Sequence, residues 1–153
     1  MAKRKMFKTI NLSKFEAMGS TGGWNPIADF FKQQAGMKSA YIDKVRVSFI
    51  LEGDDGVVAD EQMGYLWAVS TQDTLSATDA NNSQYIIGAS ASRGGGGVIT
   101  IPVNRSVRDN SFDANSGFNA LRLHCRMTDT GSEAYNLTMV IETWGRWHQV
   151  QSA

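Results

Sequence analysis

A chain of 153 residues is long enough for one domain with its own hydrophobic core. Its 15 basic and 15 acidic side chains cancel, which argues against a dedicated nucleic-acid-binding domain, and 42% hydrophobic content excludes a disordered chain. The single cysteine, Cys125, excludes an internal disulfide, and no apolar run reaches the ~20 residues that a membrane-spanning helix needs.

The chain opens with MAKRKMFKTI, basic but without the apolar core of a secretory signal, so none is expected. Residues 1–5 read as a short basic arm and residues 6–153 as a single domain. Lys3, Arg4, Lys5 and Lys8 are the candidate contacts to nucleic-acid phosphates, where each contact would release counterions. The other reading of the arm is a solubilising terminus. Met6 to Leu12 reads as a first strand with poor alternation, and Gly19 to Gly23 as a flexible connection.

Asn25 to Gly36 predicts a short helix. Asn25 suits the N-cap, Pro26 the first helical position and Gly36 the left-handed position past the end. Ile27, Phe30 and Phe31 fall on one face at helical spacing. Phe30 and Phe31 are candidates for a subunit interface or for packing beneath a sheet.

From Tyr41 the pattern has period two, the alternation of a half-buried strand. Val45, Val47, Phe49 and Leu51 face one way, with Lys44, Arg46 and Ser48 on the other side. The loop from Glu52 to Gln62 is the most acidic stretch, and Asp54 and Asp55 are its candidate Ca²⁺ ligands. Its spacing does not match the EF-hand pattern, so a solvated acidic loop is the competing reading. Further strands are predicted at Met63 to Val69, Gln84 to Ala89 and Val98 to Val103, the last stopped or placed at an edge by Pro102. The glycine run after Arg93 lacks the Gly-Lys-Ser/Thr of a phosphate loop and reads as an inter-strand turn. Asn104 to Gly117 reads as a polar loop. In Phe118 to Met127, Leu121, Leu123, Cys125 and Met127 are expected inside, with Arg122, His124 and Arg126 outside.

The final strand, Ala134 to Trp147, places Tyr135, Leu137, Met139 and Ile141 on one face. Trp144 and Trp147 then bring two large rings to a core or to a subunit interface. His124 and Cys125 are neighbours on a strand, so they point to opposite faces and form no catalytic dyad. No cluster has metal-ligand or nucleophile spacing, so no catalytic activity and no cofactor are expected.

Several strands joined by polar loops predict an all-β chain: an antiparallel β-sandwich of jelly-roll type with one short helix near the N-terminus. The basic arm (Ala2, Lys3, Arg4, Lys5), the β-rich body with long polar loops and the tryptophan-rich C-terminal strand together resemble small single jelly-roll viral capsid proteins. The resemblance implies a self-assembling structural protein of the virion, made in the host cell, with many copies forming an icosahedral shell around a genome. The implied partners are copies of the chain, other capsid proteins and viral nucleic acid held by the arm. The arm is shorter than in many such coat proteins. A carbohydrate-binding β-sandwich is the alternative, with Trp24, Trp67, Trp144 and Trp147 as stacking platforms for sugars.

Overall fold

The structure, a computed structural model, describes residues 4–18, 24–31, 37–53, 62–70, 75, 86–93, 95–108, 121–128 and 135–149. Eight strands account for nearly all of them: β1 (Arg4–Met18), β2 (Asn25–Phe31), β3 (Met37–Gly53), β4 (Gln62–Ser70), β5 (Ile86–Arg93), β6 (Gly96–Arg108), β7 (Leu121–Thr128) and β8 (Tyr135–Gln149). They form two antiparallel four-stranded sheets, in the orders β1-β8-β3-β6 and β2-β7-β4-β5. The architecture is an all-β sandwich.

The core fills the space between the sheets, where the alternating sets converge. Val45, Val47, Phe49 and Leu51 of β3 and Tyr135, Leu137, Met139 and Ile141 of β8 come from the first sheet. Tyr65, Trp67 and Val69 of β4 and Leu121, Leu123, Cys125 and Met127 of β7 come from the second. Phe49 anchors the contact between sheets, its ring edge-on to Tyr65 at 4.9 Å and tilted against Trp67 at 5.0 Å. The indole N–H of Trp67 donates to the Ser90 hydroxyl at 3.1 Å, so the one polar atom of this buried ring is satisfied. Opposite Trp67 on the ladder stands Gly88, where a Cβ would lie 2.8 Å from Ile101 Cγ1. A side chain there would enter space that β6 already fills.

The helix expected over residues 25–36 is not formed. Asn25–Phe31 is strand β2, paired to β7, and residues 32–36 lie outside the described residues. Two register shifts against β7 explain the misleading pattern. They leave Ile27 and Phe30 both buried, three residues apart, which imitates the stripe of a helix. β2 is an edge strand, so exposed Pro26 is tolerated where one side of the backbone needs no ladder partner. Phe30 therefore belongs to the core between the sheets.

Several strands run further than their sequences suggest. β1 extends to Met18, and β6 continues past Val103 to Arg108. In β6 the chain passes a bulge with Asn104 in the left-handed region (φ 44°), opposite the Ile42/Lys44 register shift of β3. Pairing then resumes as far as Ser39 and Arg108. Pro102 does sit on an edge strand, as its missing N–H requires.

Candidate interaction surface

Each sheet has an outer face, and the two differ. On the second sheet a small apolar cluster of Trp24, Ala68 and Leu75, with Leu66 packed against it, covers the outside. His124 lies beside Ala68 across the ladder in this same outer layer and is fully buried. The expectation of an exposed Arg122-His124-Arg126 stripe thus fails at its centre, where His124 is buried opposite Ala68 of the apolar cluster. Cys125 points the other way, into the main core, and burial pushes its thiol pKa well above the ordinary range. Burial likewise pushes Tyr65 up to about 12.

The outer face of the first sheet carries exposed side chains among the described residues. Strand alternation brings Lys8 and Ile10 of β1, Glu142 and Trp144 of β8, and Lys44 and Arg46 of β3 onto it. The pairing order β1-β8-β3 sets β8 between two cationic neighbours. Lys8 Nζ lies 2.8 Å from Glu142 Oε2, and Arg46 donates to Oε1 from Nε at 2.9 Å and from Nη2 at 2.5 Å. Hydrogen bonds from Lys8 and Arg46 hold the Glu142 carboxyl below its ordinary value of 4.5.

One step along the strand, the half-buried Trp144 ring is ringed by cations. Lys44 Nζ is 4.7 Å, Lys8 Nζ 4.9 Å and the Arg46 guanidinium carbon 5.5 Å from a ring centroid. The next outward residue, Arg146, reaches Asp43 Oδ1 at 3.4 Å and lies over the Tyr41 ring at 4.8 Å. None of Arg46, Lys44, Arg146 and Asp43 was a sequence-derived site candidate. The period-two placement of Lys44 with Arg46, and of Glu142 with Trp144 and Arg146, was the available signal.

The sequence-derived candidates divide accordingly. Lys8 and Trp144 come together on this face. Arg4 and Lys5 sit on β1 in register with His148 and Trp147, while Lys3 lies outside the described residues. Trp147 pairs with Lys5 and Ala40, and Phe31 with Leu121. Asp54 and Asp55 lie outside the described residues, and among those described no three His, Cys, Asp or Glu side chains gather as a metal site. Glu142 and His124 lie on opposite outer faces of the sandwich and form no polar cluster. Of the tryptophans offered for sugar stacking, Trp67 is wholly inside and Trp24 is buried under its own cluster.

No protein-family model matches the chain, and no curated protein matches it. Solved structures do. A chain of the giant freshwater prawn Macrobrachium rosenbergii nodavirus semi-empty virus-like particle aligns over 100% of this chain and 87% of its own, with a TM-score of 0.56 at 9% identity. Chains of Desmodium yellow mottle tymovirus (TM-score 0.43, 8% identity, 99% of this chain and 86% of that one) and of empty-head turnip yellow mosaic virus (0.45, 10%, 97% and 84%) also align. From end to end, this chain has the fold of the nodavirus particle chain.

Proposed function

We propose that the chain is a viral capsid subunit, a structural protein whose work is self-association and not catalysis. The observation that carries this is the full-length likeness in fold to a chain that forms a virus-like particle. The strand order supports a jelly-roll reading as well. Strands 1 and 8, and 3 and 6, pair in one sheet, while 2 and 7, and 4 and 5, pair in the other, the order of one long hairpin rolled up on itself. On this reading many copies close an icosahedral shell, and the protein resides in the virion. Lys3, Arg4 and Lys5 are proposed to meet nucleic-acid phosphates, with Lys8 more constrained because Glu142 holds it on the sheet.

Light scattering of the purified chain, with electron micrographs of any large fraction, tests the proposal. Closed shells, or stable trimers or pentamers that convert to shells, are the expected result. A strict monomer across salt and pH refutes it. Nuclease treatment of purified shells then reports whether nucleic acid is held inside.

A further inference from the structure

Among the described residues, the large hydrophobic side chains left exposed are Met6, Ile10, Leu12, Ile50, Val98 and Val140. All six are on the outer face of the first sheet. β1 carries half of them, and its pattern is inverted: Met6, Ile10 and Leu12 point out, while Thr9, Asn11 and Ser13 point in and are half-buried. A strand with one solvated face places its polar residues outward. The register aligns Leu12, Val140, Ser48 and Val98 as one row across all four strands, with Ile10 and Ile50 in the rows to either side.

We infer that this face is covered by the same face of a second copy, related by a two-fold axis that runs along the Leu12–Val140–Ser48–Val98 row. The inference rests on the self-association reading and names its surface. Three observations select this occupant. Four strands, the shortest of 13 residues, give a projected face of roughly 850 Å², close to the ~800 Å² per partner of a standard stable interface. A two-fold axis also lays the apolar row onto itself, the self-complementarity of an isologous contact. Two charges on β3 then select the axis direction, although Lys14 shares the Glu52 end and Glu142 the other. Lys44 and Glu52 lie four residues to either side of Ser48 on β3 and both point outward. An axis across the strands reverses the strand direction of the second copy, so each Lys44 end meets a Glu52 end. An axis along the strands would oppose the Lys8, Lys44 and Arg46 ends to each other. Facing sheets pack with mean strand directions within about 30°, so the two charged ends stay over one another.

The experiment is sedimentation equilibrium of the full chain at low and moderate salt, with circular dichroism to verify that each variant folds. Val98→Lys and Leu12→Lys are expected to weaken the dimer by about ten-fold or more each, since each places a charge in the apolar row that the two-fold axis lays onto itself. Glu52→Lys and Lys44→Glu each weaken it at low salt, and the double swap restores it. Arg126→Glu, on the outer side of the second sheet, leaves it unchanged. If the wild type associates and the Val98 and Leu12 variants associate equally well, this inference fails and the self-association reading stands. If the double swap fails to restore association, the assigned axis is wrong. A wild type that stays monomeric overturns both readings, whether it takes up a single-stranded oligonucleotide at Trp144 or covers the face from within its own chain.

Discussion

Trp67 offers the sharpest test of how the sandwich is held together. The ring is fully buried, packed against Phe49 and stacked on Tyr65 with centroids 6.3 Å apart. Trp67→Ala empties the centre of the contact between sheets. Truncation of a core aromatic costs about 3–5 kcal/mol, the cavity included. Loss of the bond to Ser90 adds little, because Ser90 is half-exposed and water can replace the indole. The expected loss is therefore about 4 kcal/mol. At roughly 2–4 °C per kcal/mol for a domain of this size, the melting point falls by roughly 8–16 °C. Far-UV circular dichroism melts of unassembled protein at one fixed concentration read this out without relying on tryptophan emission. Trp67→Phe keeps the ring contact and loses the donor, so its loss is about 1–2 kcal/mol. Adding Ser90→Ala to Trp67→Phe changes little further, because the partner has already gone. A Trp67→Ala protein that melts within about 3 °C of the wild type refutes the claim that this ring anchors the core.

Three further outcomes are expected. Gly88→Ala lowers stability by about 1–3 kcal/mol in urea titrations, because the new methyl meets Ile101 at 2.8 Å and Ile99 at 3.0 Å; an unchanged midpoint shows that β5 and β6 part freely. Glu142 has a depressed carboxyl pKa, so its stabilising effect is full above 4.5 and is lost as pH falls through the lower folded value. Glu142→Gln should accordingly be less stable than the wild type at neutral pH and converge with it in acid, and an equal gap at pH 7 and pH 2 contradicts the assigned ion network. Cys125 should resist thiol reagents in the native protein and react fully on unfolding, and rapid native labelling argues against its place in the core.

How much the sequence revealed depended on where each signal was stored. β3, β7 and β8 were legible because each carries an unbroken period-two apolar set on one face, and burial follows that set in the structure. β2 was not legible. Its bulges shift the period, and Asn25-Pro26 looks like a helix start while serving an edge strand. β1 was obscured by its inversion, since alternation was sought with apolar residues inside. The arrangement around Trp144 had only a partial local signal, the period-two spacing within β3 and within β8, because Lys8, the Lys44–Arg46 pair and Trp144 come from strands far apart in the sequence that meet only through the β1-β8-β3 order. His124 was misplaced for a similar reason. The strand pattern puts it on the outer side correctly, but does not show that Trp24 and Leu75 come from elsewhere in the chain to cluster with Ala68, its neighbour across the ladder.

The position of β8 has a consequence for biosynthesis. β1 is hydrogen-bonded within its sheet to β8 alone, from Arg4 opposite His148 to Met18 opposite Tyr135. Until β8 emerges from the ribosome, β1 has no ladder to join and β3 lacks one of its two neighbours. Contacts so distant in sequence make for slow folding. They also make β8 the keystone of the first sheet: a chain cut short before it leaves β1 without its ladder and β3 with β6 as its one neighbour, and the face proposed above for a second copy is not assembled.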